Sequence, residues 1–157
     1  MASFEESLIR SGIVLPEVAA PAGIYQPALR VGGFIYTSGQ LPLVDGRLIE
    51  PEGRGRVDEQ RQDEAAKAAR LCAINAVAAL RAAVGSLDGI SRIVKLTVFV
   101  SSAPGFTNQH IVANGASSLI AEVFGENGRH VRSAIGVSAL PLDASVEVEL
   151  VAACLTN

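Results

Sequence analysis

The segment HVRSAIGVSALPLDASVEVEL, residues 130–150, contains two apolar strands joined by a turn at Pro141. Side chains alternate between the two faces of a strand, so Arg132 and Glu147 each lie on the opposite face from the valines beside them. We therefore predict a terminal hairpin of residues 131–138 and 145–154. In this hairpin Arg132 and Glu147 share one polar face, and the valines fill the core.

The turn also sets an expected register for this hairpin. A turn centred on Pro141 would place Arg132 near Val151 and Glu147 near Gly136. The two charges would then be about four residues apart, which is about 13 Å along a strand. That distance is too long for an ion pair, so a ligand or water could lie between them, or a neighbouring chain could complete the site.

An arginine fixed on a strand can act as a carboxylate clamp, because its planar guanidinium group binds two oxygens at once. A surface or interface salt bridge is the alternative role for Arg132, and the spacing alone does not separate the two roles.

The rest of the chain alternates helices with strands. The pattern predicts a helix at 3–12, a hairpin turning at Gly32-Gly33, a helix at 58–84, a buried strand at 93–100 and a helix at 108–124. This order predicts an α+β domain spanning 1–157, with one mixed sheet and two helices on a single face. Residues 1–20 form a helical extension and linker. If the uncovered sheet face is apolar, other copies of the chain would cover it.

The composition is that of a globular protein without a nucleic-acid footprint. The chain has 157 residues, 49% of them hydrophobic and 18% charged, with a net charge of −3. There is no basic stripe, which argues against binding to phosphate backbones. There is no signal-peptide pattern and no apolar run long enough to span a membrane, so we expect a cytoplasmic protein. Cys72 and Cys154 lie in apolar runs and are expected to be buried free thiols.

Common cofactor motifs do not occur in the sequence. It has neither a phosphate-binding glycine loop nor a dinucleotide fingerprint, and no serine sits in a nucleophile elbow. His110 and His130 lack partners at metal-ligand spacing and are interpreted as surface or helix-end residues. The residues by themselves therefore indicate no metal or nucleotide site.

Three ordered motifs resemble those of the RidA/YjgF family of imine deaminases. They are GIYQPALRVGGFIYTSGQLP at 23–42, VKLTVFV at 94–100 and RSAIGVSALPLDASVEVELVA at 132–152. The resemblance covers roughly residues 21–155, and the N-terminal extension is typical of a longer branch. It implies a chorismate-mutase-like fold, a homotrimer with sites at subunit interfaces, and no cofactor. It also implies hydrolysis of 2-imino or enamine acids, such as those derived from 2-aminoacrylate, to 2-oxo acids and ammonia.

The resemblance also implies roles for individual residues. Arg132 would clamp the substrate carboxylate, and Glu147 would position or activate the attacking water. The residues implied to line the pocket are Tyr25, Ser38, Gly39 and Asn114, with Gly39 letting backbone approach the ligand. Ala134 stands where many family members carry cysteine, although its carbonyl could still position a water. Two other functions stay open: non-catalytic binding of carboxylate metabolites and, disfavoured by the acidic balance, an endoribonuclease or translation inhibitor.

Overall fold

A five-stranded mixed sheet with helices packed on one face forms the body of the protein. The structure is a computed structural model that describes residues 3–18 and 23–155. Residues 1–2 and 19–20 of the expected extension and linker lie outside these ranges. The sheet contains β1 (Ala28–Val31), β2 (Phe34–Thr37), β5 (Ile90–Ser101), β6 (Val131–Val137) and β7 (Val146–Cys154). The helices are α1 (Phe4–Arg10), α2 (Gln62–Val84) and α3 (Gln109–Phe124), and a small ribbon joins β3 (Leu43–Val44) to β4 (Arg47–Leu48).

The locally encoded elements agree with the sequence predictions. Ser3 and Glu6 form a reciprocal capping box at the start of α1. The first hairpin turns at Gly32-Gly33, where the positive φ of Gly32 suits glycine. Helix α2 begins at Gln62, four residues later than predicted, because the Asp58 carboxylate first caps a separate turn.

The predicted terminal hairpin is wrong. The strand order is β1-β2-β7-β5-β6, so β6 and β7 lie on opposite sides of β5 and do not pair with each other. β6 runs parallel to β5 because α3 provides the crossover between them, whereas β7 runs antiparallel to both β5 and β2. Between β6 and β7 a 3-10 turn at Pro141–Asp143 changes the chain direction, with positive φ at Leu142 and Asp143.

The corrected pairing also corrects the predicted faces and register. Arg132 and Leu150 both lie opposite Leu96, on either side of it, while Ile135 and Glu147 both lie opposite Phe99. Leu96 faces the helices and is fully buried, so Arg132 also faces the helices. Glu147 points to the other, uncovered face. The prediction that Arg132 and Glu147 share a face is therefore wrong, as are the pairings with Val151 and Gly136.

The core lies between the sheet and an alanine-rich face of α2. The predicted mixed sheet with two long helices on one face is confirmed. Small side chains such as Ala69, Ala73 and Ala76 let α2 pack closely against the sheet and α3. Cys72 and Cys154 are buried and free, as predicted. Burial, followed by the charge of Glu147, raises the pKa of the Cys72 thiol.

Helix α1 packs at the C-terminal ends of α2 and α3. Leu8 is buried, and the ring of Phe4 meets that of Phe124 edge-on at 4.9 Å between centroids. The Glu5 carboxylate accepts hydrogen bonds from Arg81 Nε at 3.1 Å and from the backbone N–H of Leu87 at 2.9 Å. These contacts attach the N-terminal extension to the helical layer rather than to the uncovered sheet face.

The uncovered sheet face is apolar at its edges. Six large hydrophobic side chains there are between 41 and 64% exposed: Leu29, Val31, Phe34, Tyr36, Val131 and Ile135. At the centre of this face the polar side chains of Lys95, Thr97, Glu147 and Glu149 lie beside Phe99 and Val151, and Lys95 Nζ donates to Ser133 Oγ at 2.7 Å. Within residues 3–18 and 23–155, no helix is long and apolar enough to cross a membrane.

Candidate functional site

Arg132 is held in a fixed position at the open edge of the sheet. It lies on the edge strand β6, and its guanidinium group reaches α3. Nη1 donates to Asn114 Oδ1 at 2.9 Å and to Ser117 Oγ at 3.0 Å, and Nη2 donates to the His110 carbonyl at 3.2 Å. A guanidinium group has five N–H donors. The Nε–H and one Nη2–H therefore have no acceptor among the residues that the structure describes, and both are available to a ligand.

His130 completes this group of side chains. Its Nδ1 lies 2.6 Å from the Gly128 carbonyl oxygen, and its Nε2 lies 3.0 Å from Ser117 Oγ. We call Asn114, Ser117, His130 and Arg132 the arginine cluster. The cluster borders an open depression of about 740 Å³, whose lining residues are Ser117, Ala121, Gly125, Glu126, Gly128, Arg129, His130 and Arg132.

The packing of α3 on α2 positions the arginine cluster. Asn114 and Ser117 are three residues apart and so share one face of α3. Gly115 lies between them and packs directly on the backbone of Ala66 in α2, where a Cβ atom would overlap the Ala66 carbonyl oxygen. The close contact of α2 and α3 at Gly115 therefore determines the position of Asn114 and Ser117 relative to β6.

Ala134 lies two residues after Arg132 on β6, beside the arginine cluster. It faces the helices like Arg132, opposite the buried Val98, and is half-buried against the core. A cysteine at this position would point into the helical layer beside Arg132. Its backbone belongs to the β5–β6 ladder.

On the other face Glu147 contacts Gly39, and the chain connects Gly39 to two further predicted site residues, Ser38 and Tyr25. We call Tyr25, Ser38, Gly39 and Glu147 the glutamate cluster. The Glu147 side chain lies directly over Gly39, where a Cβ atom would overlap its carboxylate oxygen. Ser38 Oγ donates to the Gln26 carbonyl at 2.6 Å and so ties the loop that carries Tyr25, itself 52% exposed, to the end of β2.

The electrostatic environment of Glu147 favours its protonated form. Burial, and after it the charge of Glu149, raises the pKa of the Glu147 carboxyl above its ordinary value. Within residues 3–18 and 23–155, no side chain forms an ion pair with Glu147. A half-buried carboxyl group with a raised pKa is more readily protonated than an exposed one and is a candidate for proton transfer.

The two clusters lie far apart within one chain. Arg132 and Glu147 are separated by two strand spacings across the sheet and three residues along it, which is about 14 Å between Cα atoms. They also point to opposite faces. The structure thus brings Arg132 together with Asn114, and Glu147 together with Ser38 and Gly39, but it does not bring Arg132 to Glu147.

The sequence predictions missed Ser117 and His130. His130 is two residues before Arg132, a spacing that places both on one side of an extended chain, and Ser117 is three residues after Asn114. These spacings could have signalled a cluster only if the contact between α3 and β6 had been known. In the described part of the chain, no group of three His, Cys, Asp or Glu side chains is arranged to hold a metal ion.

Comparison with known proteins agrees with this architecture. Residues 5–154 match the family described as “YjgF/chorismate mutase-like, putative endoribonuclease”. The chain belongs to the RidA/YjgF family. Protein TCP17 of Trypanosoma cruzi is 47% identical over 146 residues, which cover 91% of this chain and 89% of TCP17.

Solved structures of other proteins show the same fold. A protein described as a “putative endoribonuclease” from Shewanella oneidensis superposes with a TM-score of 0.89 at 34% identity, covering 97% of this chain and 99% of that one. Atu1372 from Agrobacterium tumefaciens, of unknown function, superposes with a TM-score of 0.85 at 41% identity, covering 98% and 94%. Escherichia coli TdcF with bound serine has a TM-score of 0.57 at 26% identity, covering 89% and 93%.

Proposed function

We propose that this protein hydrolyses small 2-imino or enamine acids to 2-oxo acids and ammonia. The observation that carries the proposal is the state of Arg132, which three hydrogen bonds hold in place while two N–H groups stay available. A pre-positioned guanidinium group binds a carboxylate through two parallel charge-assisted hydrogen bonds. The serine bound to TdcF is itself a small carboxylate, which agrees with this ligand class.

In the proposed reaction, the protein orients the substrate and manages protons. The carbon of a protonated imine is already electrophilic, so a water held beside it can add without a metal. The carboxylate on Arg132 would fix the direction of that carbon. The half-buried Glu147 carboxyl would hold the water by a hydrogen bond and so position it beside that carbon.

A complete site is proposed to form between chains. The arginine cluster lies at the β6 edge, whereas the glutamate cluster lies toward β2, near the other edge of the same sheet. Cyclic association that places the β6 edge of one chain beside the β2 side of the next would join the two clusters at every interface. The exposed apolar residues of the uncovered face support such an assembly, for which we propose a homotrimer.

The direct test is the rate of 2-oxo acid release from freshly generated 2-iminopropanoate. We expect the protein to accelerate release over buffer and Arg132→Ala to lower kcat/KM by about 10²-fold or more, since two charge-assisted hydrogen bonds are lost. Arg70→Ala is the matched control, because Arg70 pairs with Glu122 on the outer surface of the helices at 2.7 Å. Equal rates with protein and buffer would refute the proposal.

Mixing two inactive variants tests whether the site lies between chains. Arg132→Ala and Glu147→Gln chains are unfolded together and refolded together at equal concentration. In a cyclic assembly with shared sites, about a quarter of the interfaces would then combine an intact Arg132 with an intact Glu147. Activity near a quarter of wild type supports the shared site, whereas no recovery of activity, in assemblies of the native mass, contradicts it.

Binding without turnover is the second candidate, because the TdcF structure holds serine. It predicts heat of binding with a 2-oxo acid such as pyruvate, abolished by Arg132→Ala, without faster imine hydrolysis. The endoribonuclease description given to relatives is disfavoured by the net charge of −3. RNA cleavage that Arg132→Ala abolished in a nuclease-free preparation would restore it.

A further inference from the structure

The hydrogen bonds of His130 define the direction in which a proton can move. A carbonyl oxygen only accepts, so the 2.6 Å contact with Gly128 requires a proton on Nδ1. In the neutral imidazole ring Nε2 is then the basic nitrogen, and the Ser117 hydroxyl donates to it at 3.0 Å. Histidines that act as bases are commonly oriented in this way, with a backbone carbonyl accepting from Nδ1–H and so fixing the tautomer.

The Ser117 hydroxyl links this basic nitrogen to Arg132. Its oxygen donates to His130 and accepts from Arg132 Nη1 at 3.0 Å, so both of its roles are fixed. Nη1 and the two available N–H groups belong to the same guanidinium group. A small substrate whose carboxylate binds those N–H groups can therefore reach Ser117 Oγ with its other end. All three side chains line the same open depression, so a ligand and water can reach them.

We infer that Ser117 and His130 form a proton relay for the reaction at Arg132. The inference rests on the proposed deaminase function and extends it to residues outside the family motifs quoted above. A water oxygen bonds to the iminium carbon while the C=N π electrons move to nitrogen. The proton released by that water passes to Ser117 Oγ, and the Ser117 proton passes to His130 Nε2.

The second half of the reaction uses the same path in reverse. The proton returns from His130 through Ser117 to the amino nitrogen of the carbinolamine. The C–N bond then breaks as the hydroxyl oxygen forms the carbonyl, and its proton leaves with ammonia as ammonium. Iminium and water thus become 2-oxo acid and ammonium, with no oxidant, reductant or metal.

Among the described residues, no charged side chain hydrogen-bonds to the His130 ring. Arg132 on β6 contacts Ser117 rather than the ring itself. Glu126 and Arg129, from the turn that carries Gly128, pair with each other at 3.1 Å and are largely exposed. Arg92 on β5 donates to the Arg129 carbonyl at 3.1 Å.

The test uses the full-length protein and compares four variants with wild type on 2-iminopropanoate. We expect Ser117→Ala and His130→Ala to lower kcat by about 10²-fold with a smaller change in KM, because general acid–base help is lost while the carboxylate clamp stays. Ser117→Thr keeps the hydroxyl and should keep most of the rate. Ser118→Ala, on the exposed side of α3, should leave the rate unchanged. Added imidazole should restore part of the rate of His130→Ala only.

Each outcome has a distinct meaning. Suppose that wild type accelerates hydrolysis and Arg132→Ala does not. If folded Ser117→Ala and His130→Ala then keep the wild-type kcat and its pH dependence, the proton relay is wrong, while the role of Arg132 in binding the carboxylate is supported. If wild type does not accelerate hydrolysis, the proposed function fails and the relay with it. Circular dichroism and the native mass of each variant separate loss of folding from loss of the relay. Should a variant unfold, the tautomer decides: wild-type nitrogen NMR must show Nδ1–H on His130, and an Nε2–H tautomer overturns the relay.

Discussion

Replacing Gly115 by alanine should destabilise the protein, although helix propensity predicts the opposite. Gly115 lies in the interior of α3, where alanine is favoured over glycine by about 1 kcal/mol. The alanine Cβ would overlap the Ala66 carbonyl oxygen and lie 2.7 Å from its carbonyl carbon and 3.1 Å from its Cα. These are backbone atoms of α2, which cannot rotate away as the end of a side chain could.

The size of this destabilisation follows from the distance by which α2 and α3 must move apart to accommodate the new Cβ atom. Carbon atoms pack at about 3.5–4.0 Å, so the helices must separate by about 1 Å at this crossing. Overpacking of this kind costs about 1–3 kcal/mol, and contact with backbone places it at the upper end. After subtracting the gain in propensity, the net loss is about 1–2 kcal/mol, which lowers Tm by about 2–8 °C in a domain of this size.

Thermal and urea unfolding of Gly115→Ala measure this loss, with Ser118→Ala as the control on the same helix. Ser118 is exposed, so its replacement should change stability by less than about 0.5 kcal/mol. The substitution should also lower imine hydrolysis, because Asn114 and Ser117 move with the helix and loosen Arg132. A Tm above that of wild type would refute the argument from backbone contact.

Three further predictions concern other parts of the molecule. Gly39→Ala should leave Tm within a few degrees of wild type but lower imine hydrolysis, because the new Cβ displaces only the flexible Glu147 carboxylate; unchanged activity would contradict this. Since burial raises the folded-state pKa of Glu147, its contribution to stability is full below the ordinary pKa of about 4.3 and lost as pH rises through the raised value. Glu147→Gln should therefore gain stability over wild type as pH rises above about 4.3, while the exposed control Glu59→Gln should show no such trend in urea titrations. Phe4→Ala should cost about 1–2 kcal/mol in urea unfolding through loss of the edge-on contact with Phe124, and no loss would mean that this contact adds nothing to stability.

Elements encoded by neighbouring residues could be predicted from the sequence. The capping box of Ser3 and Glu6 defines the start of α1, and Gly32-Gly33 defines a two-residue turn, because each acts within a few residues. Alternation also correctly separated Arg132 from Val131 within β6. Each of these inferences needed only one element and its own periodicity.

The pairing of strands could not be read in the same way. Alternation gives the two faces of each strand but does not say which strand lies beside it, and consecutive strands are often neighbours. Here β7 takes the place between β2 and β5, so the face of Glu147 relative to Arg132 was inverted. The cluster of Ser117 and His130 depends on the contact between α3 and β6, and therefore on the same non-local information.

The corrected topology makes the proposal of a shared site stronger than the predicted hairpin did. In the hairpin, Arg132 and Glu147 shared one face, and a ligand between them would have needed only one chain. In the structure they lie on opposite faces, and the apolar residues of the uncovered face lie at both edges of the sheet. The β6 edge exposes Val131 and Ile135 beside Arg132, whose N–H groups are available. This edge is suited to a partner surface that supplies apolar side chains and a carboxyl group. The β2 side of the same sheet face supplies apolar side chains in Phe34 and Tyr36 and a carboxyl group in Glu147. Association of identical chains through these two surfaces would therefore cover the apolar residues and bring the two clusters together.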